Sequence, residues 1–251
     1  MTTGADKPRI ASTPDRSMAA AGAPGAEVDV LAAEAGQPSV APEAVGAPGA
    51  VLVIISGPSG VGKDTIIDAL KRRHRRHSGP RHHDHHFVVT CTTRPPRAGE
   101  VNGASYHFID RARFQTLRES GDLLEWAEVH GNWYGTPRAE VAEYLAKGMD
   151  VVLKIDVQGA QSVKERVQDA ILIFVVPPSL EALFGRLRSR ATESAEELEL
   201  RQRNAAIELA RQGDYDHVVV NEDDEVERTA EVIDEIISTE HAARADRRVR
   251  L

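Results

Sequence analysis

The stretch VLVIISGPSGVGKDT, residues 51–65, decides the fold. Val51 to Ile55 is an unbroken apolar run, mostly β-branched, closed off by Gly57-Pro58, and it predicts a strand buried on both faces. Gly57, Pro58, Ser59, Gly60, Val61, Gly62 and Lys63 then follow the spacing G-x-x-x-x-G-K. From Asp64 to Arg76 the apolar residues Ile66, Ile67 and Leu70 share one face, which predicts a helix. Strand, glycine-rich turn and helix together are the context in which this spacing binds phosphate. The glycines let successive backbone N–H groups turn inward, the helix start adds its positive end, and Lys63 supplies a compact charge. Asp64, followed by Thr65, stands where a metal-ligating Ser or Thr usually follows the lysine. A carboxylate is a hard oxygen ligand for Mg²⁺ and equally an acid favoured in a first helical turn; both readings stay open.

Working outward, FVVTCTT (87–93), DVVLKID (150–156), ILIFVV (171–176) and HVVVN (217–221) predict further strands. Helical stretches at 158–167, 179–190, 194–212 and 224–239 lie between and after them. Apolar strands alternating with helices predict an α/β chain whose parallel sheet is covered on both sides. Residues 94–147 break the alternation with Pro, Gly and aromatic punctuation and predict an inserted subdomain of short strands and helices.

The ends differ from this body. Residues 1–50 hold 14 Ala, 6 Gly and 6 Pro, and the first aromatic residue of the chain is Phe87. Such a composition buries too little apolar surface to offset its ordering entropy, so residues 1–49 are expected to be a disordered tail. No apolar segment of secretory type follows the N-terminus, and the acids Asp6, Asp15, Glu27, Asp29, Glu34 and Glu43 argue against a transit peptide; the expectation is a cytoplasmic chain. Residues 222–240 carry nine acids and one Arg, expected as the solvated face of a terminal helix. Residues 241–251 carry four Arg and one Asp, expected as a short, frayed basic tail. The net charge of −8 argues against a general nucleic-acid binder. Cys91 is the only cysteine, which excludes a disulfide framework. No apolar run approaches the ~20 residues of a membrane span.

A phosphate loop does not name a reaction; residues 90–136 are more informative. Arg94 and Arg97 sit three apart across Pro95-Pro96, whose fixed backbone presents two guanidiniums suited to a dianionic phosphate. Tyr106, Glu125-Trp126 and Tyr134-Gly135-Thr136 follow. A carboxylate facing a purine can accept from N1–H and an exocyclic amine, a pair that guanine offers and adenine does not. The plainer readings are core packing for the two tyrosines, and an exposed, ion-paired helix face for Arg186, Arg190 and Arg201.

TTRPPRAGEVNGASYHF (92–108), LLEWAEVHGNWYGTP (123–137), IDVQGA (155–160) and RLRSRATES (186–194) together resemble the guanylate kinase family, over about residues 51–240 and in its order and spacing. The resemblance implies a P-loop NTPase-type parallel sheet core spanning 50–240, with an inserted GMP-binding subdomain about 87–147 and a helical lid about 186–204. It implies transfer of the γ-phosphoryl of ATP to GMP, and to dGMP less well, with Mg²⁺. ATP would lie on Gly57 to Thr65 and near Asn221. Arg94, Arg97, Tyr106 and Tyr134 would hold the GMP phosphate, Glu125 would read guanine with Thr90 and Thr136 near the base, and Asp156 would lie near GMP. Lys63, Arg94, Arg186, Arg190 and Arg201 would carry the charge of phosphoryl transfer. The chain departs from the family at Lys154, where many members carry Asp or Glu, and at Thr90 and Thr136, which are often Ser. Small-molecule substrates are the implied partners, with no nucleic acid and no membrane; monomer and homodimer stay open. The rivals are a ribose 1,5-bisphosphate phosphokinase-like P-loop kinase, which often has Asp after the loop lysine, and a non-catalytic guanylate kinase-like binding module.

KRRHRRHSGPRHHDHH (71–86) holds six of the ten histidines beside six basic residues. Its spacing matches no defined metal site, so a solvated helix end and loop is the expectation.

Overall fold

The computed structural model describes residues 45–76, 84–129, 131–189 and 195–251. In chain order the elements are β1 (Leu52–Ser56), α1 (Lys63–Arg76), β2 (His85–Phe87), β3 (Cys91–Thr92), β4 (His107–Phe108), α2 (Arg111–Glu119) and β5 (Leu123–Val129). Then come β6 (Asn132–Pro137), α3 (Arg138–Ala146), β7 (Asp150–Lys154), α4 (Val157–Arg166), β8 (Ile171–Val176) and α5 (Leu180–Ser189). The chain closes with α6 (Ala195–Leu209), a 3₁₀ turn (Ala210–Asp214), β9 (His217–Val220) and α7 (Val226–Ala243).

Two sheets result. The larger runs β2-β7-β1-β8-β9, with every neighbouring pair parallel. β1 is central and wholly buried, as its unbroken apolar run predicts. Alternate side chains of a strand point to opposite faces. Val53 and Ile55 therefore join Ile66 and Leu70 of α1 and Ile233 and Ile237 of α7 on one face. Leu52 and Ile54 join Val141 and Leu145 of α3 and Ala160 and Val163 of α4 on the other. The smaller sheet, β4-β3-β6-β5, is the inserted subdomain, and α2 packs Phe114 beneath it with Leu123 and Trp126.

Three features differ from the expectations. FVVTCTT divides between the two sheets rather than forming one strand. Val88 N–H still donates to Val152 O of β7 at 3.2 Å, while Thr90 O accepts from His107 N–H at 2.9 Å. Thr90 therefore sits at the seam, and the smaller sheet begins at Cys91 rather than at 87. Second, the packed unit extends beyond 50–240. Val45 and Gly46 N–H donate to Val249 O at 3.2 and 3.3 Å, and Gly49 N–H to Arg247 O at 3.1 Å. Val249 and Leu251 are each 4% exposed and complete the second core face. Two apolar residues spaced by two in extended chain point the same way, so this segment buries them despite the intervening Arg250. His241 anchors the end of α7 on the buried Asp150, with Nδ1 2.8 Å from Oδ1. Third, the acids of α7 are not simply a solvated face: Asp234 is buried, and others pair with α1. Glu227 pairs with Arg72, and Glu231 and Asp234 pair with Arg73, so part of the acidic run answers the basic end of α1.

In the histidine-rich stretch, residues 77–83 lie outside the described residues. His85 stacks on His74 and lies between Asp150 and Asp234, at 3.8 and 3.9 Å; His86 bonds Glu140 at 2.8 Å. Among the described residues no group of three His, Cys, Asp or Glu is close enough to hold a metal ion. No helix among them is long and apolar enough to cross a membrane.

Candidate active site

The loop after β1 bends sharply because three glycines adopt conformations that side chains avoid. Gly57 has φ 145° and Gly62 has φ 99°. A Cβ on Gly57 would stand 2.3 Å from Val175 O, and one on Gly62 2.7 Å from Asn221 Nδ2. The loop is thus wedged against the ends of β8 and β9. Lys63 opens α1 and curls back, donating from Nζ to Gly57 O at 2.5 Å and to Pro58 O at 3.1 Å. Burial lowers its pKa; Glu208, Asp64 and Asp156 oppose that.

Asn221, expected near adenine, has both ends of its amide engaged. Nδ2 donates to Val61 O at 2.8 Å, and Oδ1 accepts from Thr229 Oγ1 at 3.0 Å. It is a brace for the phosphate loop. Arg186 braces the same place, bonding Val61 O at 3.3 Å, Asn221 O at 3.0 Å and Asp223 at 2.6 Å. Arg201 reaches the loop from α6, with Nη2 3.2 Å from Ser59 Oγ. Arg190 lies outside the described residues. Glu208 also touches Ser59, accepting from its N–H at 3.2 Å. It was not anticipated, although its spacing of seven from Arg201 puts both on one helix face, which is a legible signal.

A second group of the expected site residues is built on the smaller sheet. Antiparallel pairing sets Glu125 of β5 opposite Thr136 of β6, and Thr136 Oγ1 donates to Glu125 Oε1 at 2.6 Å. Both are buried. Burial pushes the Glu125 carboxyl up to about 8, against the Thr136 hydrogen bond and with help from Asp156. Asp156 caps α4, accepting from Gly159 N–H at 2.7 Å. A Cβ on Gly159 would stand 2.8 Å from Glu125 Oε2 and 3.3 Å from Asp156 Oδ1, so the two carboxyls converge on this glycine. Burial raises the Asp156 pKa as well, opposed by the Gly159 bond and by Lys63.

Arg94, Tyr106 and Tyr134 come together, as the motif reading requires. Arg94 lies 5.4 Å from the Tyr106 ring centre, its Nε is 3.3 Å from Tyr134 Oη, and the two tyrosine rings meet edge to face at 6.0 Å. The arginine is also bridged by Glu100 through two hydrogen bonds of 3.0 and 2.8 Å, which raise its pKa and lower that of Glu100. Glu100 Oε2 accepts from Arg97 N–H at 2.6 Å, so a single carboxylate ties the loop that presents both arginines. Arg97 itself is exposed at the rim. Glu100 was not singled out from sequence; a lone acid in a basic, proline-fixed loop was the available sign.

Asp64 is ion-paired with Lys154, the last residue of β7, and its side chain is 73% exposed. Lys154 Nζ also lies 3.3 Å from Tyr106 Oη.

The chain is similar to known guanylate kinases. The family profile described as guanylate kinase matches residues 50–240. A guanylate kinase of Gloeobacter violaceus is 46% identical over 75% of this chain and 87% of its own length. One from Symbiobacterium thermophilum is 48% identical over 69% of this chain and 78% of its own. The crystal structure of a guanylate kinase from Anaplasma phagocytophilum, 32% identical, superposes with a TM-score of 0.60 over 80% of this chain and 90% of that one.

Proposed function

The chain belongs to the guanylate kinase family, and on that premise we propose that it transfers the γ-phosphoryl group of ATP to a phosphate oxygen of GMP, releasing ADP and GDP. The observation that carries the acceptor choice is Glu125: a buried carboxyl held by Thr136 and set beside Asp156. In its ionised form it accepts from guanine N1–H and N2–H. Adenine offers no such pair to the ionised carboxyl, and a site built to hydrogen-bond one partner rejects another by roughly 10⁴-fold.

Phosphoryl transfer has a loose transition state, so positioning and charge neutralisation do most of the work. The loop N–H groups and Lys63 would hold the ATP phosphates. The Arg94–Tyr106–Tyr134 group, with Arg97 swinging in from the rim, would hold the acceptor phosphate. Arg201 and Glu208 would couple α6 to the loop through Ser59, while Arg186 and Asn221 keep the loop in shape. Asp64, in the first turn of α1, is a hard oxygen donor 73% exposed beside its Lys154 partner, and would share its carboxylate between that ammonium and Mg²⁺. Bound with ATP, that ion would neutralise phosphate charge.

A coupled assay offering ATP with GMP, dGMP, AMP, UMP or ribose 1,5-bisphosphate tests the reading. GMP should be the best acceptor and AMP poor. Equal turnover of AMP and GMP would overturn the assignment, and turnover of the sugar phosphate alone would favour the other kinase class.

A further inference from the structure

Two residues that depart from the usual pattern, Asp64 and Lys154, meet in space. They are 90 positions apart in sequence and join α1 to the end of β7. Lys154 has 20% of its side chain exposed, and its ammonium has a second partner in Tyr106, with the tyrosine ring centre 4.7 Å from Nζ. Burial works to lower the pKa of this lysine, but Asp64 and Tyr106 outweigh it and hold the pKa up.

Hydrogen-bond direction gives the contact its consequence. An ammonium can only donate, so the Tyr106 oxygen must accept from Lys154. The phenolic hydrogen is then directed elsewhere, and a hydroxyl that accepts from a cation is a stronger donor itself. The Tyr106 ring also neighbours Tyr134 and Arg94.

We propose that Lys154 is a positioning residue that ties the acceptor-phosphate clamp to the phosphate loop: anchored by Asp64, it holds the Tyr106 hydroxyl as a donor towards the phosphate of GMP. The two departures from the family pattern thereby form one device, in which the acid on the loop fixes the cation that orients the clamp. This inference rests on the reading of Tyr106 as a ligand of the acceptor phosphate.

The test is GMP binding by calorimetry, without ATP, in Lys154→Met, Tyr106→Phe, the double variant and Asp64→Asn, with thermal midpoints to verify folding. Lys154→Met should raise the GMP Kd by about tenfold, the scale of one charge-assisted hydrogen bond. Because Lys154 acts through the hydroxyl, the double variant should be within about twofold of Tyr106→Phe alone. Asp64→Asn, at an exposed side chain that leaves the fold safe, should raise the Kd by about threefold through the loosened anchor. If the losses of Lys154→Met and Tyr106→Phe multiply, Lys154 acts directly on the phosphate and the proposal falls. Unchanged GMP affinity in Lys154→Met or in Asp64→Asn also overturns it. A parent enzyme that does not bind GMP, or a neutral Tyr106→Phe, would instead refute the reading of the site.

Discussion

Thr136 Oγ1 donates to Glu125 Oε1 at 2.6 Å, across two neighbouring strands of the smaller sheet. The bond fixes one carboxyl oxygen where burial has raised the pKa to about 8. Below that pH the free enzyme holds Glu125 protonated, whereas on the reading proposed above guanine's two donors require it ionised. On that reading, binding of GMP releases a proton. Affinity should rise with pH, by up to about tenfold per unit, and level off above the pKa. Calorimetry between pH 6.5 and 9, in buffers of differing ionisation heat, reads both the slope and the proton. Glu125→Gln should bind GMP weakly with that slope abolished; a slope that survives in this variant belongs to another group.

Glu100 holds Arg94 and the backbone of Arg97 with one carboxylate. Glu100→Gln should release the loop and raise KM for GMP by roughly fivefold to tenfold, with KM for ATP little changed. Arg97→Met removes a guanidinium but keeps the stem, and should lose about 2–4 kcal/mol in kcat/KM for GMP. Steady-state kinetics with each substrate varied in turn distinguishes the two. An unchanged KM for GMP in Arg97→Met would mean that the Pro-Pro loop does not close on the acceptor.

Gly62 has no room for a methyl group: its φ is 99° and a Cβ would lie 2.7 Å from Asn221 Nδ2. Asn221 is pinned by Val61 and Thr229 and does not yield. Gly62→Ala should therefore cost roughly 1–3 kcal/mol of stability and weaken ATP binding more than tenfold, as the loop deforms to make room. Chemical denaturation and ATP calorimetry measure the two effects.

Val249 and Leu251 complete one face of the core, and Val249 O holds Val45 and Gly46. Removing residues 249–251 should lower stability by about 2–4 kcal/mol, on the scale of burying two aliphatic side chains. The site lies elsewhere, so KM for GMP should not move below the new melting transition. An unaltered melting temperature would show that these side chains are exposed in solution.

Much of this molecule is legible in the sequence, because its signals are local. The run Val51 to Ile55 specifies a buried strand, and the glycines and Lys63 after it specify a phosphate loop, since only backbone free of Cβ can make that turn. The order of strands and helices specifies a parallel sheet. The motifs around Arg94, Glu125 and Thr136 carry the family resemblance before any contact is seen. What only the tertiary structure decided concerns partners far apart in the chain. Sequence places Asn221 at the end of a strand; packing turns it into the brace that excludes a side chain at Gly62. Sequence alone implies an ordinary Glu125 carboxylate, while burial beside Asp156 raises its pKa to about 8. Residues 241–251 look like a solvated basic tail, yet Val249 and Leu251 find the open edge of a core that no local pattern announces. Asp64 and Lys154 each look like an isolated oddity, and they become one ion pair only when β7 is laid beside β1. Burial, hydrogen-bond completion and charge pairing depend on which surfaces meet, and those meetings exist only after the chain has folded.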